Sequence, residues 1–305
     1  MGVPHPIPYQ GSKRLLVGSI LRFFPSAAGR VVEPFAGSAA ISLASAYYGK
    51  ATSFLINDIN RPLMDLWKQI VYHPTRLASQ YRRIWQAQGE DRKAFFFEVR
   101  RKFNQNPRPD YFLFLLVRCV KATIRYNSNG QFNNSPDNRR KGTHPDTMKI
   151  NIERASKLLR NRTLLLCKDY RALLNDLKSS DLVYMDPPYQ GVCREKNPRY
   201  VEGVNYDDFV DFLEKLNRKG IRYIVSYDGR TGDKTHGKAL PDSLELRHFE
   251  IDTGRSSQAT LLGKKSRTYE SLYLSPSLRQ NIPTVPASLP LIASRIPDIQ
   301  IPLFG

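Results

Sequence analysis

Hydrophobic positions along the chain alternate between two patterns, one typical of buried strands and one typical of amphipathic helices. Short apolar runs that predict buried strands occupy residues 30–33, 53–56, 163–167, 181–185 and 221–226. Segments with a helical pattern lie between these strands, at residues 39–48, 63–71 and 209–216. Strands that alternate with helices predict an α/β fold with a mostly parallel sheet. Residues 244–251 and 268–274 alternate in polarity and predict an antiparallel hairpin after it.

A basic segment interrupts this series once. Residues 71–150 hold 16 Lys and Arg against 6 Asp and Glu, a net charge of +10 out of the +19 of the whole chain. We therefore predict a catalytic domain made of residues 1–72 and 150–275, with a mainly helical, basic domain inserted at 73–149. Prolines recur through residues 276–305, and we expect this tail to be extended or disordered.

Composition excludes several classes of protein. No apolar run approaches the ~20 residues that cross a bilayer, and the N-terminus shows no signal-peptide pattern. Three widely spaced cysteines exclude a disulfide framework and a CxxC zinc pattern, and the five histidines have no ligand spacing, so we expect no metal. We expect a cytoplasmic protein that binds a polyanion, with nucleic acid the leading partner and no membrane association.

Acidic residues stand at the ends of four predicted strands. They are Glu33, Asp58, Asp169 and Asp186. Ligands of parallel α/β sheets bind beyond the carboxyl ends of the strands, so the fold is expected to gather these carboxylates along one crevice.

The sequence Asp186-Pro187-Pro188-Tyr189 directly follows a hydrophobic strand. Two prolines fix the backbone and remove two N–H donors, while their carbonyls remain as acceptors. A carboxylate beside a rigid carbonyl is suited to bind an amino group that has two hydrogens to donate. The tyrosine that follows is able to stack on a planar base.

A second motif, Glu33-Pro34-Phe35-Ala36-Gly37-Ser38, occupies the first turn from strand to helix. Gly37 permits close approach of a ligand, and the helix N-terminus favours an anionic group. The motif is neither GxGxxG nor a P-loop. Asp58 ends the next strand and is placed to accept from ribose hydroxyls, so the pair suits a nucleoside.

Taken together, these motifs resemble the Dam-type, class-alpha N6-adenine DNA methyltransferases over about residues 7–275. Residues 8–13, Pro-Tyr-Gln-Gly-Ser-Lys, resemble that family's N-terminal cofactor motif, and residues 32–37 resemble its first cofactor loop. Asn57-Asp58 resembles its ribose-binding turn, and Asp186-Pro-Pro-Tyr189 its catalytic motif. Residues 125–133 resemble its RYNxxGxFN stretch, which belongs to the DNA-recognition region.

The resemblance implies a Rossmann-like fold and transfer of a methyl group from S-adenosylmethionine to N6 of a flipped adenine in double-stranded DNA, leaving S-adenosylhomocysteine. It implies the catalytic residues Asp186, Pro187, Pro188 and Tyr189. It implies the cofactor-binding residues Tyr9, Gly11, Lys13, Glu33, Pro34, Phe35, Ala36, Gly37, Ser38, Asp58, Ile59, Asp169, Tyr170 and Asp186. It implies the DNA-binding residues Lys13, Arg125, Tyr126, Asn127, Asn133, Arg139, Arg140 and Lys141.

Two departures from the family pattern bear on these expectations. Ala39 stands where the family often has a second glycine, so we expect its φ to stay negative. After Asn133 the family's Val-Pro-Phe-Gly is replaced by Asn-Ser-Pro-Asp-Asn-Arg-Arg-Lys. For this reason we do not assign the family's DNA target sequence to this chain.

Other functions are open at this point. A ribosomal-RNA guanine N2-methyltransferase also uses Asp-Pro-Pro-Tyr, an N4-cytosine enzyme is chemically close, and a non-catalytic DNA-binding protein is the third alternative. Residues 190–204 either close over the flipped base or form a solvated loop. The enzyme is expected to be a monomer in a restriction-modification or phage setting, with a separate restriction endonuclease as a candidate partner.

Overall fold

The computed structural model describes residues 2–26, 28–188, 204–232, 234–255, 267–281 and 291–292. Its strands are β1 (Ala28–Glu33), β2 (Ala51–Asn57), β3 (Thr163–Leu166), β4 (Asp181–Met185), β5 (Arg222–Thr231), β6 (Lys234–His236), β7 (Arg247–Arg255), β8 (Arg267–Leu274) and β9 (Leu291–Ile292). Its α-helices are α1 (Val17–Leu21), α2 (Ala40–Tyr47), α3 (Arg61–Tyr72), α4 (Pro74–Gln86), α5 (Arg92–Gln105), α6 (Pro109–Arg118), α7 (Pro145–Leu159) and α8 (Tyr206–Arg218). Short 3-10 helices occupy Lys13–Leu15, Val120–Ala122, Tyr170–Asn175, Asp242–Leu244 and Pro276–Asn281.

The strands join in one sheet with the order β3-β2-β1-β4-β5-β8-β7-β9, and β6 pairs with β5. The first five strands in this order run parallel, while β8 pairs antiparallel with both β5 and β7. The α/β class, the parallel sheet and the C-terminal antiparallel hairpin are therefore confirmed. The chain runs outward from β1 to β3 and then returns to place β4 on the other side of β1. This reversal opens a crevice beyond the carboxyl ends of β1 and β4.

The central strands are buried on both faces, which explains their continuous hydrophobic runs. Val31 and Val32 of β1 and Leu182 and Val183 of β4 have no solvent exposure. Asn60 is the N-cap of helix α3: its side chain accepts a hydrogen bond from the backbone N–H of Leu63, and this cap fixes where the helix leaves the end of β2.

The basic insertion is mainly helical and consists of α4, α5, α6, a long loop and the start of α7. The predicted boundary at residue 149 falls inside α7, which continues to Leu159 and packs against α3 and α4. Phe96, Phe103 and Phe112 are buried in the same hydrophobic cluster as the helices on that side of the sheet. The insertion thus shares its core with the catalytic sheet, which fixes its loops relative to the strand ends.

The start of the proline-rich tail belongs to the fold. Pro276–Asn281 forms a 3-10 helix instead of an extended segment, because Leu278 is fully buried and the Ser277 hydroxyl donates to the carbonyl of Ile221. Leu291 and Ile292 form the short strand β9 and pair with β7. Among the described helices, none combines the length and the apolar character that a membrane crossing requires.

Candidate active site

A cavity of about 270 Å³ lies beyond the carboxyl ends of β1, β2, β3 and β4. The strand-end positions Glu33, Asp58, Asp169 and Asp186 all line it, as their common place in a parallel sheet predicts. The N-terminal segment from Tyr9 to Lys13 crosses the same cavity. The structure therefore brings together in one site residues that are up to 199 positions apart in sequence, from Tyr9 to Asp208.

Most of the predicted site residues line this cavity. They are Tyr9, Gly11, Lys13, Glu33, Pro34, Phe35, Ala36, Gly37, Ser38, Asp58, Ile59, Asp169, Tyr170, Asp186, Pro187 and Pro188. Tyr189 and residues 190–203 lie outside the described residues. The DNA-binding candidates other than Lys13 lie in the long loop between α6 and α7.

The turn after β1 is held by contacts on three sides of Gly37. Its N–H donates to Asp58 Oδ2 at 3.0 Å, and its carbonyl accepts from Trp67 Nε1 at 2.9 Å. Its φ is +49°, and a Cβ atom there would meet the ring of Tyr9 at 3.0 Å. Glycine is thus required by the backbone conformation and by the approach of Tyr9.

Ala39 shows that the prediction of a negative φ was wrong. It adopts φ +46° and ψ +41°, the left-handed conformation. Its N–H donates to the carbonyl of Ala36, its carbonyl accepts from the N–H of Leu43, and its side chain is fully buried. These contacts hold the alanine in a conformation that costs roughly 1–2 kcal/mol for a residue with a Cβ atom.

We expect Ala39→Gly to be about 1 kcal/mol less destabilising than Ala40→Gly. Both substitutions remove one buried methyl group and add freedom to the unfolded chain, but only the first relieves the left-handed strain. Urea unfolding of the two variants and the parent chain measures the difference. Equal losses in the two variants would show that the turn holds no such strain.

Asn57 is a positioning residue whose role the sequence did not reveal. Its Nδ2 donates to the carbonyls of Pro34 and Lys168, each at 2.9 Å, and its Oδ1 accepts from the N–H of Lys168. One fully buried amide therefore joins the loops that follow β1 and β3. A motif of Asn before Asp is a weak signal in sequence, because these residues also occur in ordinary turns.

Lys13 and two carboxylates form the charged centre of the site. The Lys13 ammonium is 2.9 Å from Asp186 Oδ1 and 3.2 Å from Glu270 Oε2, and only 6% of its side chain is exposed. Burial alone would lower the pKa of Lys13, but the carboxylates of Asp186 and Glu270 raise it above its ordinary value. Lys13 is therefore a cation held against the carboxylate of Asp186, the first residue of the Asp-Pro-Pro-Tyr motif.

Glu270 had no signal in the sequence. It lies on β8, where its register partner on β5 is Gly229, and this pairing carries it to the charged centre from a strand with no catalytic motif. Only the antiparallel return of β8 beside β5 brings it near Lys13.

Two acidic residues lie in the cavity at the ends of β1 and β2, Glu33 buried and Asp58 half-buried. Burial raises the pKa of Glu33 to about 7, although the N–H of Ser42 donates to its Oε2 and opposes the shift. Burial also raises the pKa of Asp58, against hydrogen bonds from the N–H groups of Asn60 and Gly37. A cationic group in the cavity would favour the ionised form of both.

The opposite wall of the cavity is aromatic. The rings of Phe35 and Tyr170 lie 5.0 Å apart, and the Tyr170 hydroxyl is buried with no hydrogen-bond partner among the described residues. Asp169 accepts from the backbone and guanidinium of Arg171, which lowers the pKa of Asp169 and fixes its carboxylate at the rim. Aromatic walls, acceptors for hydroxyl groups and an unsatisfied polar atom fit a nucleoside cofactor.

Tyr126, which the resemblance assigns to DNA, contacts Asn60, a residue that lines the cavity. Its hydroxyl is 3.1 Å from Asn60 Nδ2, and burial raises its pKa to about 12. Arg125 and Asn133 pair through the N–H of Asn133 and the Arg125 carbonyl, and Asn127 closes the turn with Gln131. Arg139, Arg140 and Lys141 are exposed.

The chain also matches a known protein family. The family described as "D12 class N6 adenine-specific DNA methyltransferase" matches residues 9–256, which include the described cavity residues. The chain belongs to this family. Adenine-specific DNA methylation is therefore its chemistry, and the guanine N2, N4-cytosine and non-catalytic alternatives are set aside. D12 methyltransferases depend on S-adenosylmethionine and act on DNA.

Named relatives agree with this membership of the D12 class. The chain is 28% identical over 228 residues to a retron Ec67 DNA adenine methylase of Escherichia coli, covering 72% of this chain and 75% of the relative. It is 26% identical to a DNA adenine methylase of Vibrio cholerae serotype O1, covering 78% of this chain and 84% of the relative. It is 23% identical to the modification methylase StsI of Streptococcus sanguinis, covering 84% of this chain and 40% of that protein. In the part of the chain that the structure describes, no group of His, Cys, Asp and Glu residues is arranged to hold a metal.

Proposed function

We propose that the cavity binds S-adenosylmethionine and that Asp186 and the carbonyl of Pro187 orient the N6 amino group of a flipped adenine. The observation that carries this proposal is the rigid Asp-Pro-Pro segment, which meets the cofactor loops in one cavity. Asp58 would accept from ribose hydroxyls, and Phe35 and Tyr170 would flank the adenine ring. Each Asp58 oxygen already accepts one backbone N–H and retains a lone pair for a hydroxyl.

When bound, the cofactor supplies an electrophilic methyl group on a positively charged sulfur. The remaining work falls to residues of the chain. The N6 nitrogen is a poor nucleophile because its lone pair is delocalised into the ring. Asp186 and the Pro187 carbonyl each accept one N6 hydrogen, and this holds the lone pair toward the methyl group. Lys13 keeps the Asp186 carboxylate in place.

We expect cofactor affinity to rise about tenfold from about pH 6 to about pH 8, because Glu33 must lose its proton to face a cationic ligand. The sign follows from its pKa of about 7 in the free protein. Titration calorimetry across this range measures the effect. The matched control is Glu33→Gln, which keeps an acceptor for the N–H of Ser42 but cannot ionise.

The ligand's own amine titrates equally with both proteins, so the difference between the two pH profiles belongs to Glu33. Parallel profiles would place the cationic groups of the ligand away from this carboxyl.

Two features support DNA as the substrate: the positive charge of the insertion and the position of Asp186 inside a cavity. N6 of a stacked adenine cannot reach Asp186, so the target base must leave the duplex at a cost of a few kcal/mol. The basic insertion at 73–149 is proposed as the target-recognition domain, with its cations on the phosphates. The proposed DNA-contacting residues are Lys13, Arg125, Tyr126, Asn127, Asn133, Arg139, Arg140 and Lys141.

The names of the relatives favour a restriction-modification or phage-related setting for this chain. Expression in a host without DNA methylation, followed by single-molecule sequencing of the host DNA, tests the activity and reports the target sequence. We expect N6-methyladenine within one short recognition sequence. Unmodified host DNA, with soluble protein that binds the cofactor, would overturn the proposed activity.

A further inference from the structure

The segment that replaces the family pattern after Asn133 forms a rigid turn on the basic insertion. Its centre is Asp137, which is buried, and its backbone is tied to the fully buried Arg118 in both directions. The N–H of Asp137 donates to the carbonyl of Arg118 at 2.7 Å, and Arg118 Nη1 donates to the carbonyl of Asp137 at 2.9 Å. The turn is therefore fixed to the end of α6 before any DNA arrives.

Asp137 uses both carboxylate oxygens to hold Arg139. Its Oδ1 accepts from Arg139 Nε at 3.1 Å and from the Arg139 backbone N–H at 3.1 Å, and its Oδ2 accepts from Nη2 at 3.2 Å. The side chain of Arg139 is nevertheless 82% exposed. A buried carboxylate thus orients a guanidinium that projects into solvent.

The guanidinium of Arg139 retains a second pair of donors in this arrangement. Of its five N–H groups, Asp137 takes the one on Nε and one on Nη2. The others, two on Nη1 and one on Nη2, make no hydrogen bond within the described ranges. One N–H on Nη1 and one on Nη2 lie side by side along the free edge of the guanidinium, where they can donate to two adjacent acceptors. In the major groove, guanine is the base that presents two adjacent acceptors, O6 and N7.

We infer that Arg139, held by Asp137, reads a guanine in the major groove of the target sequence. The inference rests on the proposed function, since it assigns a base within the DNA that this enzyme methylates. Holding the side chain in advance reduces the entropy lost on binding, which favours a base contact over a loose phosphate contact.

Two other arginines on the insertion help to isolate the effect. Arg140 Nε lies 3.3 Å from Asp137 Oδ2, and among the described residues no pair of side-chain hydrogen bonds joins Arg140 to this carboxylate as it joins Arg139. Arg108 has the same two-point hold on buried Asp110, but it stands at the start of α6, at the opposite end of that helix from Arg118. Arg108→Lys is therefore a control with the same chemical change at a comparable ion pair.

The test compares the parent chain with Arg139→Lys, Asp137→Asn and Arg108→Lys by single-molecule sequencing of DNA methylated in a methylation-free host. Lysine keeps the positive charge but loses the planar fork. We expect Arg139→Lys to lower discrimination for guanine at one position by at least about fivefold and to leave every other position unchanged. Asp137→Asn should lower discrimination for guanine at the same position, and Arg108→Lys should lower it at no position.

The proposed activity and this inference fail in distinguishable ways. A parent chain that methylates no adenine refutes the activity itself. A parent recognition sequence without guanine, or an Arg139→Lys variant that keeps full discrimination while its rate falls equally at all sites, overturns the base-reading role and leaves a phosphate contact. Since Arg139 is exposed, its substitution does not threaten folding.

Discussion

Asp186→Ala should lower the rate of methyl transfer by about 10³-fold or more while leaving DNA binding nearly unchanged. The carboxylate lines the cavity at the end of β4, where it supplies an acceptor that alanine cannot replace. The adjacent backbone is held by two prolines and by a strand that is fully buried, so the site should keep its shape. Single-turnover methylation of a DNA duplex with saturating cofactor measures the chemical step apart from binding.

The matched control is Asp211→Ala, which makes the same change in net charge on α8, where Asp211 pairs with Lys215 at the surface. We expect this variant to retain the parent rate. If Asp186→Ala methylated DNA at a rate comparable with this control, Asp186 would not orient the amino group and the assignment of the catalytic motif would be wrong.

The sequence predicted the sheet and the cavity well for one physical reason. Strands buried on both faces read as short apolar runs, so β1 and β4 could be placed to within a few residues. Once a parallel sheet is predicted, the residue after each strand must lie at the same edge. Glu33 and Asp186 could therefore be assigned to one site although 153 positions separate them.

Features that depend on tertiary contacts were not predictable in this way. Ala39 has a positive φ because the turn around it is fixed by neighbouring contacts, whereas its own preference opposes that conformation. Glu270 reaches Lys13 only through the pairing of β8 with β5. Asp137 sits in a run of polar residues that is typical of a solvated loop, yet the structure buries it beneath two arginines.

Lys13→Met should reduce methyl transfer roughly ten- to hundredfold at neutral pH, and the deficit should shrink as pH rises to about 9. Without the ammonium, the carboxylates of Asp186 and Glu270 face each other in a partly buried site, and at least one of them holds a proton until higher pH. A protonated Asp186 accepts hydrogen bonds from N6 poorly. Initial rates of both proteins from about pH 6 to about pH 9 give the ratio that tests this.

A second substitution separates the role of the charge from simple loss of packing. In Lys13→Met/Glu270→Gln the facing carboxylate is gone, so Asp186 should ionise more readily than in Lys13→Met and the rate at neutral pH should recover in part. The free energy of unfolding of Lys13→Met should fall as pH rises, because its two unpaired carboxylates repel each other more when both are ionised. The rate assays should therefore be run well below the unfolding temperature of this variant. A rate ratio that stays constant with pH, with no recovery in the double variant, would mean that Lys13 acts on cofactor or DNA and not through the ionisation of Asp186.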